Sequence, residues 1–208
     1  MLKPALHTLL QHPAIWRGDD LAQVAVPSVA TGYAALDREL PGGGWPAGAL
    51  TELLHEREGI GELRLVAPAL ARLSEAGRWV AWIAPPHLPY APALAAAGIK
   101  LSRLLVIGKT SPRDSLWAAE QALRAGSCGA VLFWPSDLDQ RSLRRLQLAA
   151  EAGGALGLLY RPLRVAEQAS PAALRMALEP QEQELSIRIL KRRGGAATAS
   201  FRLHCAAA

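Results

Sequence analysis

The sequence predicts an α/β fold: a mostly parallel sheet flanked by helices, with a β-rich antiparallel extension at the C-terminal end. Three observations carry this. Short apolar stretches, Arg78 to Ala84, Leu104 to Ile107, Ala130 to Trp134 and Ala155 to Tyr160, alternate with segments of helical periodicity. These strands read as continuous apolar runs, as strands covered on both faces must. The last quarter then changes to period-two alternation in Leu174 to Leu178, Glu184 to Leu190 and Ser200 to His204.

In chain order, Leu2, Leu6, Leu9 and Leu10 fall at helical spacing before His12-Pro13 ends the run. With Trp16 and a Val-rich piece at Val24 to Val29 they form an arm, residues 1–29, ahead of a domain of residues 30–208 whose tail is 172–208. A helical run at Tyr33 to Leu40 stops at Pro41-Gly42-Gly43-Gly44, where glycine accepts positive φ. A strand is expected at Ala49 to Leu54 and a glycine-containing loop at Glu56 to Gly61. The helix from about Glu62 to Glu75 contains Pro68, so it is either kinked or starts later. After the Arg78 strand come helices near Tyr90 to Ala97, Pro112 to Ala125 and Asp137 to Ala152, with Asp137 or Asp139 at the last one's positive end. Gly194-Gly195 reads as the turn between the last two strands.

Composition narrows the function classes. Half the residues are hydrophobic and 20% are charged, an ordinary globular balance that excludes disorder as the main state. No apolar run reaches the ~18 residues of a membrane-spanning helix, and the N-terminus has no readable secretory signal; a cytoplasmic protein without membrane contact is expected. Cys128 and Cys205 stand far apart, outside any metal-ligand spacing, so neither a metal nor a cofactor is expected. The net charge of +5 suits an anionic partner or reflects an Arg-rich coding bias.

The passage Ala30 to Glu52, ATGYAALDRELPGGGWPAGALTE, resembles the entry to the ATPase core of the RecA superfamily. Its TG…LD..L.GGG.P.G…E pattern precedes a first core strand and a phosphate loop, which implies a RecA-like core over most of the chain. Gly42 to Pro46, Gly59 to Leu63, Pro68 to Leu73 and Trp79 to Pro86 look more closely like the ImuA family. That resemblance implies a non-catalytic accessory role in damage-induced translesion synthesis within the SOS response. The partners it implies are RecA, the polymerase-like ImuB and an error-prone polymerase. The alternative is a division inhibitor resembling SulA, a distant relative with a degenerate RecA-like fold that blocks the tubulin-like protein FtsZ. Chain length, the intact Thr31-Gly32 entry and the β-rich tail weigh toward ImuA.

The nucleotide chemistry of that superfamily is missing. A working phosphate loop, GxxxxGK[ST], needs backbone N–H groups around the phosphates, a lysine and a metal-holding hydroxyl. Here the place is taken by His55, Glu56, Arg57, Glu58, Gly59, Ile60, Gly61, Glu62 and Leu63. Three glutamates near a triphosphate would each oppose it by about 4 kcal/mol at 4 Å and an effective dielectric near 20. The resemblance also calls for a glutamate after the second strand and an aspartate after the supporting strand, where this chain has Ala84-Pro85-Pro86-His87 and Phe133-Trp134-Pro135. No catalytic residue is expected.

The remaining candidates are surface groups. Arg188, Lys191, Arg192 and Arg193 form the densest basic cluster, with Arg188 and Arg192 placed on one strand face. Arg141, Arg144 and Arg145 share a helix face. Each cluster is either a weak DNA or partner contact or a solvated face; three phosphate contacts would give a salt slope near about −3. Trp16 and Trp45 are read as exposed interface anchors or arm packing. Trp79 and Trp82 are read as covering both sides of one strand, and Tyr90 and His87 as structural.

Overall fold

A computed structural model describes residues 27–182, 184–193 and 200–205. The arm, with its expected helix and Trp16, falls outside these residues up to position 26, as does the Gly194-Gly195 turn. Two short antiparallel strands, β1 (Ser28–Val29) and β2 (Trp45–Pro46), bracket α1 (Ala34–Glu39). Then follow β3 (Ala49–His55), α2 (Glu62–Glu75), β4 (Trp79–Ile83), α3 (Ala91–Ala96), β5 (Leu104–Ile107), α4 (Pro112–Arg124), β6 (Cys128–Phe133), α5 (Gln140–Gly153) and β7 (Leu156–Pro162). The chain closes with β8 (Leu174–Gln181), β9 (Glu184–Arg192) and β10 (Phe201–Leu203).

The result is the expected mixed α/β architecture. One eight-stranded sheet runs β10-β9-β8-β3-β7-β6-β4-β5. The six strands from β8 to β5 are parallel; β9 and β10 add antiparallel to the edge of β8. All seven residues of β3 and all six of β6 are buried; β6 reads as an apolar run for that reason, while β3 carries Thr51, Glu52 and His55 among its apolar residues. One face of the sheet packs Leu53, Leu158 and Met176 under α2; the other packs Leu50, Val131 and Leu159 under α4 and α5.

The helix around Pro68 is unbroken from Glu62 to Glu75. A proline cannot donate to the carbonyl four residues back, and the Tyr33 hydroxyl donates to that Arg64 carbonyl at 3.0 Å. Burial, together with the Cys205 thiol, pushes the Tyr33 phenol up to about 12. Gly32, at φ +94°, lets the backbone lie where a Cβ would come within 2.5 Å of the Pro68 Cβ. Asp37 accepts from the Thr31 N–H at 2.8 Å. The Thr-Gly…Asp pattern is therefore a clamp that seats the entry segment on α2. Asp139 caps α5, its carboxylate accepting from the Ser142 N–H at 2.8 Å, and the Ser142 hydroxyl and N–H together hold it below the usual aspartate range.

The structure decides between the two readings of Trp45 and corrects that of Trp79. Trp45 is fully buried beneath the entry segment, not an exposed anchor. Trp82 is buried, but Trp79 at the start of β4 is 37% exposed, with the Arg103 guanidinium 5.4 Å over its ring, so only one side of that strand end is covered. Tyr90 is 71% exposed and does not pack as expected.

The helices α4 and α5 meet at Gly153, where an added Cβ would lie 1.9 Å from the Leu123 carbonyl oxygen. Alanine gains about 1 kcal/mol of helix propensity there, but overpacking against rigid backbone costs about 1–3 kcal/mol or more. Gly153→Ala is expected to lower the denaturation midpoint; a raised midpoint would show that the helix pair can slide apart.

Candidate functional site

The carboxyl ends of β3, β4, β6 and β7 open on a cavity of about 900 Å³, where ligands of open parallel sheets commonly sit. Its first wall is the loop between β3 and α2, the strand-loop-helix position of a phosphate loop. Gly59 and Gly61 take φ of +77° and +103°, turning backbone N–H groups inward. Those donors are engaged internally: the Glu62 carboxylate accepts from Gly59 N–H at 2.9 Å and Ile60 N–H at 2.8 Å. With Gly61 aligned on the motif's second glycine, Glu62 stands at the lysine position and Leu63 at the hydroxyl position. The loop that would cradle an anion is filled by its own carboxylate. Glu56, Arg57 and Glu58 are exposed and line the cavity, with Glu58 3.1 Å from the exposed His87.

Behind the loop lies an aromatic wall. Trp134 stacks on Tyr160 at 4.4 Å and lies 5.5 Å from Trp82; His55 lies 6.3 Å from Tyr160. Burial, with the nearby Glu62 charge, drives the Tyr160 phenol well above its usual value. Ala84, at the position where the superfamily resemblance calls for a glutamate, holds φ +51°, a left-handed strain of about 1–2 kcal/mol for a residue with a Cβ.

On the opposite face of β3, Glu52 is completely buried between two arginines. Arg161 of β7 donates to it at 3.0 Å and Arg175 of β8 at 2.6 Å, and Ser170 adds a hydroxyl at 2.8 Å. The spare Arg175 donors reach the carbonyls of Val165, Ala166 and Gln168. The arginine partners were not singled out from sequence. A glutamate inside the apolar run LTELL and an arginine ending LGLLYR were the available signal, since fully buried charges are paired.

The basic candidates are not gathered into one surface. The register of β8 with β9 shifts between Arg175 and Met176, which leaves Leu190 as an extra residue. A bulge of this kind reverses the alternation beyond it, so Arg188 pairs with Ala177 on one face while Arg192 pairs with Leu174 on the other. The expectation that Arg188 and Arg192 share a face is thereby corrected. Lys191 donates to the Ser170 carbonyl at 2.6 Å, Arg192 to the Glu39 carbonyl, and Arg193 lies 3.8 Å from Glu151. Burial beside Arg175 lowers the Lys191 ammonium. On α5, Arg145 bonds Glu120 on α4, which also takes Arg124 at 3.0 Å; Arg141 and Arg144 face solvent.

Residues 48–157, just over half of the chain, match the family model described as cell division inhibitor SulA. The chain belongs to the SulA family. A SulA of Edwardsiella piscicida is 36% identical over 98 residues, 47% of this chain and 58% of that protein, so the match spans under two thirds of that relative's length. A SulA of Serratia marcescens is 29% identical over 117 residues, 56% of this chain and 70% of that protein. A solved structure of SulA from Pseudomonas aeruginosa is 31% identical and covers 54% of this chain and 97% of its own, at a TM-score of 0.45. These findings overturn the ImuA assignment, and with it the translesion role and RecA, ImuB and an error-prone polymerase as partners. Most of the stretches that suggested ImuA, Gly59 to Leu63, Pro68 to Leu73 and Trp79 to Pro86, lie inside the span that SulA matches.

Removing one member of a buried ion group costs about 3–5 kcal/mol, because the others stay buried and unpaired. Glu52→Ala is expected to lose that much in chemical denaturation. A loss under about 1 kcal/mol would mean that water or a rearranged Arg161 reaches the site.

Proposed function

We propose that this chain is a non-catalytic binding protein that inhibits cell division by docking on FtsZ. Family membership over residues 48–157 carries the reading. That span runs from β3 into β7, and it includes most of the cavity wall, α2 to α5 and the β5 edge. It leaves out β9, β10 and the basic residues 188 to 193, which makes the parallel half of the sheet the part to test first. The filled loop supports a binding role over nucleotide hydrolysis: its donors hold Glu62 in place of a phosphate. A RecA-like core is part of this proposal, supported by the strand-loop-helix passage of β3 and α2, as are an arm of residues 1–29 and a domain of residues 30–208.

Induced expression in undamaged bacterial cells is expected to give filaments several division lengths long. The purified protein should lower FtsZ GTPase turnover and the amount of FtsZ polymer sedimented, in proportion to its molar ratio. Cells of normal length at verified expression, with FtsZ turnover unchanged at a tenfold excess, would end this reading.

A further inference from the structure

The sheet has two ends, and among the described residues the β5 end has no strand beside it. Edge strands are commonly blunted by charges, proline or bulges, but β5 is Leu104-Leu105-Val106-Ile107, with none of these. Leu105 and Val106 are 44% and 37% exposed, and Leu101 in the preceding turn is 42% exposed. Along its outer side the strand keeps backbone donors and acceptors that pair with no strand among the described residues.

Charge brackets this apolar edge. Arg103 precedes it and Lys109 and Arg113 follow it, the last two forming the β5 side of the cavity. Lys100 is already paired with Glu75 at 2.9 Å. The cavity carboxylates Glu56, Glu58, Asp137 and Asp139 come from the loops after β3 and β6, across from this wall. Asp114, on the same helix as Arg113, is held by the Ser111 hydroxyl at 2.7 Å.

This pattern argues against a second copy of the chain as occupant. Antiparallel pairing of two β5 edges about Val106 would set Arg103 against Lys109 twice, and parallel pairing would set like on like; like charges directly opposite destabilise a strand pair. A carboxylate at each end removes the conflict. We infer that the outer edge of β5 is a docking site for an extended acidic segment of another protein. That segment adds to the sheet as a further strand, with apolar side chains along Leu105 and Val106 and carboxylates facing Arg103 and Lys109. Arg103 closes the helical turn before β5, with its guanidinium over Trp79, and Lys109 lies in the loop after it, six residues on, so the segment needs a carboxylate beyond each end of the strand. The inference rests on the edge geometry and stands apart from the choice of FtsZ as partner.

The probe is a fluorescein-labelled peptide, Ser-Glu-Val-Thr-Val-Thr-Val-Glu-Ser, with a lysine-ended counterpart and an isomer that carries both glutamates at one end. Fluorescence anisotropy with the full chain should show the acidic peptide binding at least tenfold tighter than the lysine-ended one and several-fold tighter than the isomer. Hydrogen exchange should slow at residues 104–107 when it binds. The double variant Arg103→Glu with Lys109→Glu should reverse the preference, and Lys109→Glu alone, at an exposed side chain, should weaken binding of the acidic peptide while keeping the thermal midpoint. Equal binding of the three peptides, protection away from β5, or a preference unchanged in the double variant would each overturn the inference. So would a dimer in sedimentation velocity with residues 104–107 protected and no peptide added.

Discussion

A single carboxylate in the middle of the sheet constrains how the strands can be ordered. Glu52 sits in β3 with no exposure, and each neighbouring strand contributes one arginine to it, Arg161 from β7 and Arg175 from β8. Stripping water from such a group costs several kcal/mol, so β3 is stable only where both guanidinium groups reach it. A one-residue slip of either neighbour would turn its arginine to the opposite face of the sheet. The triad therefore fixes register more than it adds stability. It also folds the segment after β7 over the sheet, because the carbonyls of Val165, Ala166 and Gln168 are what satisfy Arg175. Lys191, Ser170 and the bulged end of β9 pack around this arrangement.

The loop after β3 shows how the same local geometry can hold opposite chemistry. Positive-φ glycines and a following helix create inward N–H groups and a positive dipole end, suited to an anion. In a nucleotide-binding protein that anion is the ligand. Here Glu62 supplies it from the first turn of α2, and it is 95% buried with both carboxylate oxygens engaged. A covalently attached carboxylate is present at very high effective concentration, so a free anion competes poorly for these donors.

The elements were legible in the sequence because their signals are local. Apolar runs, glycine and proline punctuation and the change of period in the last quarter placed each strand of the eight-stranded sheet and each α-helix within a few residues, whereas the two-residue strands β1 and β2 fell in segments read as arm and turn. What was missed depends on pairing. The Leu190 bulge leaves no mark in a run such as LSIRILKR, yet it separates Arg188 from Arg192. Trp45 sits beside glycines and proline, a turn-like context, and is buried because the entry segment folds back: Gly44 passes so close to Val29 that a Cβ would lie 2.4 Å from its carbonyl oxygen. The superfamily resemblance was over-read as a function. Thr31, Gly32, Asp37, Gly44 and Glu52 clamp, turn and pair within the fold, so chains that share the architecture can share these residues whatever they bind.

That distinction bears on where a binding surface can be. Residues spent on the triad, the entry clamp and the filled loop are committed to holding the fold, and the basic residues 191 to 193 are tied to Ser170, Glu39 and Glu151. The antiparallel strands β9 and β10 cover the edge of β8, so that end of the parallel set has its backbone groups paired. Among the described residues the end at β5 has no such cover, and it is the end within the span that SulA matches. An apolar strand left bare at one end, beside a second edge sheltered by two added strands, is the asymmetry expected when one edge is kept for a partner and the other is closed against unwanted pairing.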